Sequence, residues 1–464
     1  MSDYDLIVIG SGPAGEKGAA QAAYFGKRVA LIERLPRLGG SCVHSGALPS
    51  KALRETALAL ARVRRLGVES VQVQQSSSVP GWMSRREEVI AHCNERVIGN
   101  LAVHNVEVIR GTAAFEGPNR IRVEGENPTV LEAERILLAT GSYPFHPPGV
   151  PFSSGLVDDS DSILLTGALP ERMMVVGGGV IGCEYAAVFA ALGVTVTLID
   201  SQERLLPFLD HDISAQLLSG MRRMGLTVLL QDRCASVDVD GAEVHCHLDS
   251  GATLVGDRLL FSAGRRARTA ELQLDRAGVE TDERGFICVD DHFQTSVPGL
   301  YAAGDVVGLP GLASVGMDQA RVAMCHAFDL AYKSNVGPLW PMGIYTIPPV
   351  SSVGITEAQG RERGLDIEVG RAPYHATDRG IILDEQDGLL KLVFDRSTKQ
   401  LLGVHMYGAE AAELIHLGQA VMVAGGTIDV FIDQVFNYPT LAGLYKFAAY
   451  DGLGRLRGRS LIGG

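Results

Sequence analysis

No Cys-x-x-Cys pair occurs in this chain of 464 residues, and its seven cysteines, Cys42, Cys93, Cys183, Cys234, Cys246, Cys288 and Cys325, are odd in number and widely spaced. That pattern excludes a disulfide framework and, with no ligand cluster of suitable spacing, a structural zinc site, so no metal is expected. Buried thiol is the default for every cysteine except Cys42. An uninterrupted apolar run of about 18 residues, which a membrane-spanning helix requires, is also missing. Met1-Ser2-Asp3-Tyr4-Asp5 carries no basic stretch of the kind that opens an export signal. A cytoplasmic protein is the expectation. Basic residues are outnumbered, 41 Lys and Arg against 54 Asp and Glu, and a net charge of −13 would repel nucleic acid and anionic membranes alike.

What is present is apolar bulk, 46% of residues with only 20% charged, enough to bury several cores and to fill about three domains. Glycine is abundant, at 55 residues, and gathers at strand-to-helix junctions, where it marks tight turns. Asp5 to Ile9 reads as a buried strand, Gly10-Ser11-Gly12-Pro13-Ala14-Gly15 as a turn, the Ala-rich stretch to Phe25 as a helix, and Val29 to Ile32 as a second strand. The unit recurs from Met173 to Asp200, with Gly177-Gly178-Gly179-Val180-Ile181-Gly182 as its turn and Thr195 to Ile199 as its second strand.

Apolar spacing at Leu53, Ala57, Leu60 and Val63 predicts a helix over Ser50 to Leu66. The Gly-Pro-rich stretch from Tyr143 to Pro151 marks a domain boundary. Alternation predicts strands within Arg233 to His247 and at Phe286 to Asp290. Beyond Ile344, strands at Leu389 to Phe394 and Leu402 to Met406 are followed by helices from Ala411 and from Tyr438, an α+β pattern.

A G-x-G-x-x-G turn brings backbone close to a pyrophosphate at a helix N-terminus, and an acid about twenty residues on accepts a ribose hydroxyl. Gly10, Gly12, Gly15 and Glu33 meet these requirements; Gly177, Gly179, Gly182 and Asp200 meet them again. One glycine triplet alone could serve packing. Two copies in strand-turn-helix context, each with its acid, point to two dinucleotide sites.

The run Thr295-Ser296-Val297-Pro298-Gly299-Leu300-Tyr301-Ala302-Ala303-Gly304-Asp305 resembles the second FAD fingerprint of the pyridine nucleotide–disulfide oxidoreductase family, in which the acid, here Asp305, binds the ribityl chain. Ala139-Thr140-Gly141 and Ser262-Ala263-Gly264-Arg265 resemble that family's connecting turns. The resemblance covers nearly the whole chain. It implies an α/β fold of two Rossmann-like FAD- and NAD(P)-binding domains plus a C-terminal α+β dimerisation domain, arranged as FAD 1–148, NAD(P) 149–265, FAD 266–340 and interface 341–464. It also implies FAD as cofactor, NAD(H) and NADP(H) as substrates, and a homodimer or higher homo-oligomer.

Disulfide reductases of the family carry Gly-Gly-x-Cys-x-x-x-x-Cys-x-Pro-Ser-Lys, and here that segment is Gly39-Gly40-Ser41-Cys42-Val43-His44-Ser45-Gly46-Ala47-Leu48-Pro49-Ser50-Lys51. The second cysteine is replaced by Ala47. The family's His-Pro-Thr-x-x-Glu element reads Tyr438-Pro439-Thr440-Leu441-Ala442-Gly443, without the acid–base pair. A lone thiol cannot pass electrons as a dithiol, which disfavours disulfide reduction. Cys42 could contact the flavin, form a sulfenate, or pack as a small hydrophobe. For His44, ring stacking or a core hydrogen bond is weighed against proton transfer.

By resemblance, Lys51 and Glu184 form an ion pair beside flavin N5, where a cation steadies charge gained with hydride. The bland alternatives are a solvated helix lysine and a first-turn acid. Gly40 belongs with the FAD-binding residues, and Val180 underlies the nicotinamide. Leu312-Ala313-Ser314 starts a helix whose positive end, at Ala313, faces the flavin N1 edge. Asp200 favours NAD over NADP, while Arg204 is either a receiver for a 2′-phosphate or a surface arginine.

Together with Asp159-Ser160-Asp161-Ser162-Ile163-Leu164, Gly182-Cys183-Glu184-Tyr185-Ala186 and Phe436-Asn437-Tyr438-Pro439-Thr440, these segments look like the soluble, Si-specific transhydrogenase branch of the family. That branch passes hydride from NADPH to NAD+ in ping-pong fashion through flavin N5. An NAD(P)H:quinone reductase keeps every flavin motif and stands as the alternative, which an aromatic-lined acceptor pocket near Tyr438 would favour. A redox-sensing binding protein, switched by bound nucleotide or a modified Cys42, is the reading from a different class.

Overall fold

The computed structural model describes residues 3–65, 79–385 and 387–459. Leu6 to Ile9 and Val29 to Ile32 are buried, as strands covered on both sheet faces must be. Tyr4–Ile9 pairs in parallel with Val29–Glu33 on one side and Thr129–Leu138 on the other, and Glu107–Arg110 and Leu300–Ala302 extend the parallel set. Because strand side chains alternate, Leu6 and Val8 meet Ala19 and Met324 of the Pro13–Tyr24 and Ala313–Ala327 helices. Ile7 and Ile9 face Phe115 and Ile121 of an antiparallel meander, Thr112–Gly117 with Arg120–Glu124.

The second unit repeats the plan with parallel strands Thr227–Leu230, Thr195–Asp200, Arg172–Val176, Arg258–Phe261 and Val157–Asp158. Its meander is Cys234–Asp240, Glu243–Leu248 and Thr253–Gly256, so the alternation seen from Arg233 forms a hairpin. The Gly-Pro-rich stretch after Tyr143 leaves the first unit beside the returning chain, where Ser142–Pro144 and Arg265–Ala267 pair antiparallel.

A five-stranded antiparallel sheet, in the order Met342–Ile344, Val350–Gly354, Leu401–Tyr407, Leu389–Asp395, Ile367–Pro373, makes the third unit, with the helices Ala411–Val423 and Leu444–Leu456. It docks on the second unit through Lys391, 1% exposed, whose ammonium lies 2.8 Å from Asp210, 2.9 Å from Asp212 and 2.7 Å from Glu357.

Three expectations need correction. No strand forms over Phe286 to Asp290: Ile287 makes one isolated bridge, to Thr281. The carboxylates of Asp282 and Asp290 accept nearby backbone N–H groups instead, drawing the chain into turns. The last helix begins at Leu444, not Tyr438, after a short 3-10 turn. Pro439 disfavours helical backbone before it, and Thr440 is extended. Burial is not general among the thiols: Cys288 is exposed, and Cys93 and Cys234 are only half-buried. The Ser50 to Leu66 helix spans Ala47–Arg65, with Leu66 outside the described residues.

Candidate functional site

Each glycine turn is shaped by a close approach. A Cβ on Gly15 would fall 1.8 Å from the Gly10 carbonyl oxygen, and one on Gly182 would fall 1.8 Å from that of Gly177. Side chains there would push each helix off its turn. Gly12 and Gly179 face open space, leaving room at the helix N-termini. The acids are held alike. Glu33 accepts from Ser11 N at 3.0 Å, Ser11 Oγ at 2.6 Å and Leu35 N at 2.9 Å. Asp200 accepts from Gly178 N and from Gln202 N.

A cavity of about 780 Å³ runs from the Gly10 turn and Glu33 past Cys42 to Lys51, Val180 and Glu184. Its walls also include Gly40, Thr140, Gly141, Asp305 and Ala313. The Gly40–His44 helix is drawn against the first turn: Gly40 has φ +60, and a Cβ there would lie 2.9 Å from Gly12 Cα. This close approach places Cys42 beside the cavity. Burial and the nearby Asp305 carboxylate push its thiol up to about 11, so it stays protonated near neutral pH. His44 Nε2 bonds the Leu38 carbonyl at 2.6 Å.

Lys51, in the first turns of the Ala47–Arg65 helix, reaches Glu184 of the Val180–Ala191 helix at 2.6 Å. The pair therefore bridges the two dinucleotide units. Glu184 Oε1 accepts from Tyr345 N at 2.8 Å, and the Lys51 ammonium lies 4.9 Å from the Tyr345 ring centroid. The Ala313–Ala327 helix opens at the cavity, presenting its positive end.

The structure does not bring every predicted residue to this cavity. Gly15, Gly177, Gly179, Gly182, Asp200 and Gly264 lie outside its lining, although Val180, Ile181 and Glu184 continue from the second turn into it. Arg204 donates to the carbonyls of Pro207 and Leu209 within its own loop. Tyr438 is exposed, bonds Asp378 at 2.6 Å and is not part of the lining. Among the described residues no cluster of three or more metal-ligating side chains occurs, and no helix is long and apolar enough to cross a membrane.

Sequence reading missed Ser11, which fixes Glu33, and Ser142, whose hydroxyl donates to Asp305 at 2.9 Å while Arg265 Nε donates to it at 2.7 Å. It also missed Tyr345. The small residues could have been found by position, since each neighbours a quoted motif; Tyr345 belongs to the third unit and has no local signal.

The donor set fits a dinucleotide cofactor on features of the fold itself. Thr140 Oγ1 is buried without a protein partner, Gly141 leaves open space beside it, and a glycine turn, a buried acid and a helix N-terminus converge on one cavity. Two such turns joined at a cation–carboxylate pair define a nicotinamide- and flavin-dependent oxidoreductase. The chain belongs to the family described as pyridine nucleotide-disulphide oxidoreductase: residues 4–325 match its model, and residues 340–449 match its dimerisation domain.

Within the family, the chain is 41% identical over 462 residues to the soluble pyridine nucleotide transhydrogenase of Mycobacterium tuberculosis, covering 98% of both chains. It is 39% identical to that of Pseudomonas fluorescens, covering 98% of this chain and 99% of the other. Among solved structures it is similar to the HOCl-induced flavoprotein disulfide reductase RclA from Escherichia coli, with 30% identity, a TM-score of 0.87, and coverage of 96% and 99%. LpdA from Mycobacterium tuberculosis gives 28% identity, a TM-score of 0.88 and the same coverage.

Proposed function

We propose that this protein is a soluble, Si-specific pyridine nucleotide transhydrogenase, working in the cytoplasm as a homodimer and moving hydride from NADPH to NAD+ in two half-reactions at one nicotinamide pocket. The carrying observation is the Lys51–Glu184 pair, which joins the two dinucleotide units inside one cavity where Ala47 stands in place of a second thiol. Bound FAD would supply the group that takes and returns hydride. Gly10, Gly12, Gly15, Glu33, Gly40, Thr140, Gly141 and Asp305 would hold it, and the helix beginning at Ala313 would favour negative charge at its edge.

Gly177, Gly179, Gly182 and Asp200 would bind each nicotinamide nucleotide in turn, with Val180 under the ring. Gly264 would shape the return turn between the units. Lys51 would be the cation beside the reacting atoms, oriented by Glu184 and covered by Tyr345. Arg204 is left out of this scheme, because its donors serve loop carbonyls. Cys42, neutral and half-buried, would pack beside the ring as a small hydrophobe. The domain limits 1–148, 149–265, 266–340 and 341–464 follow the same scheme.

The quinone reductase reading shares every flavin motif and differs only in the electron acceptor; Tyr438, near which an aromatic pocket would favour it, is exposed and outside the lining of this cavity. The test is anaerobic stopped-flow: the flavoprotein is reduced by NADPH and then mixed with NAD+ in the absence of quinone. Prompt return of the oxidised flavin spectrum with one NADH per flavin is expected. A spectrum that stays bleached until quinone is added would overturn the proposal.

A further inference from the structure

Two cysteines that the flavin chemistry does not use lie in the three-stranded meander of the second unit. Cys234 starts the Cys234–Asp240 strand and Cys246 lies in the antiparallel Glu243–Leu248 strand. Register pairs Cys234 with Leu248 and Val237 with Cys246, with a bulge between Cys234 and Ser236. In a regular strand, residues 234 and 237 would point to opposite faces; the extra residue turns both toward the face that Cys246 and Leu248 bury. The two sulfurs are consequently 2.8 Å apart, with the Cys246 thiol donating to Cys234. A disulfide bond is about 2.05 Å long, so the two sulfurs stand within about 1 Å of bonding distance.

The two thiols differ in a way that assigns roles. Cys246 is buried, whereas Cys234 is half-exposed and is the one an oxidant in solvent can reach. The hydrogen bond from Cys246 lowers the Cys234 thiol below its ordinary value against the opposing effect of burial, and the same bond, with burial, raises Cys246. Neither cysteine lines the flavin cavity.

We propose that Cys234 and Cys246 are a peroxide-reactive dithiol, a modification site separate from the flavin cavity, which closes to a disulfide across the hairpin. The Cys234 thiolate attacks one oxygen of a hydroperoxide, breaking the O–O bond to give a sulfenic acid and, after protonation, an alcohol or water. The Cys246 sulfur then attacks the sulfenic sulfur; the S–S bond forms, the S–O bond breaks, and the hydroxyl leaves as water with the Cys246 proton. Two thiols are oxidised by two electrons and one peroxide is reduced. The chain just before Cys234 is tied to the acid of the second nucleotide turn: Asp232 N donates to Asp200 O at 3.2 Å and Gln231 N to Gln202 O at 3.0 Å.

The test treats the full-length, FAD-loaded protein with hydrogen peroxide, alkylates it in denaturant and maps the peptides, with the exposed Cys288 as internal reference. The expected result is loss of label at Cys234 and Cys246 before Cys288, a cross-linked peptide lighter than its reduced parts by about 2 Da, and recovery of both labels with dithiothreitol. In Cys246→Ser the cross-link is absent and Cys234 is trapped by dimedone; in Cys234→Ser, Cys246 keeps its label. Cys234 and Cys246 retaining label at doses that consume Cys288, or a wild-type sulfenic acid that never gives the cross-link, would overturn the proposal.

Discussion

Substituting Glu184 by Gln tests whether the bridge between the two units acts on hydride transfer. The amide keeps the shape and the oxygen that accepts from Tyr345 N at 2.8 Å, but turns an NH2 toward the Lys51 ammonium, now 2.6 Å from a carboxylate oxygen. Glu184 and Lys51 side chains are 10% and 28% exposed, so the pair is partly shielded. Unit charges about 4 Å apart attract by about 4 kcal/mol at an effective dielectric of about 20, and water reaching Lys51 trims that to about 1–3 kcal/mol. If this energy holds the cation where charge develops, its loss slows flavin reduction about 10- to 100-fold. Stopped-flow with saturating NADPH reads that step alone, and the ratio of flavin to protein absorbance confirms that FAD content is unchanged. A rate within about twofold of wild type at full FAD content removes the pair from the mechanism. Glu184→Gln combined with Lys51→Met should cost little more than Lys51→Met alone, since the carboxylate acts only through the cation.

Five further outcomes are expected. Cys42→Ser keeps at least about a tenth of hydride-transfer activity, because the thiol is neutral and packs rather than reacts; near-total loss with FAD still bound refutes this. Alkylation of Cys42 in the FAD-free protein is slow near neutral pH and climbs about tenfold per pH unit toward about 11, a profile that a thiol titrating at its ordinary value would not give. Gly182→Ala forces a Cβ into the Gly177 carbonyl and should abolish reduction by NADPH while FAD stays bound, whereas Gly15→Ala should yield protein without flavin; the reverse pattern would exchange the two sites. Lys391→Met leaves the buried carboxylate of Asp210 without its cation, while Asp212 and Glu357 keep Arg371, and should destabilise the fold by about 3–5 kcal/mol in urea unfolding. In the wild type, burial alone would raise Asp212 and Glu357, but hydrogen bonds and attraction from Lys391, aided by Arg371 at both and Arg361 at Glu357, prevail and hold both below their ordinary values. Their contribution is therefore present above the usual carboxylate range and is lost as pH falls through the lowered values, which unfolding midpoints across pH 2 to 6 should show.

Much of this was written locally. Strands buried on both faces are continuous apolar runs, and a helix close-packed on its turn demands glycine at Gly15 and Gly182, so both dinucleotide units could be read from short segments. The absence of a second thiol at Ala47 needed no structure at all. Where local preference and tertiary context compete, reading failed: alternation at Phe286 to Asp290 lost to the turns of Asp282 and Asp290, and Tyr438 did not start a helix because proline follows it. The tertiary structure alone decided that Tyr345, about 160 residues from Glu184, covers the ion pair, that Arg204 turns back on its own loop, and that a one-residue bulge brings Cys234 over Cys246. Such contacts depend on how separate units dock and how strands register, and neither leaves a periodic trace in the chain.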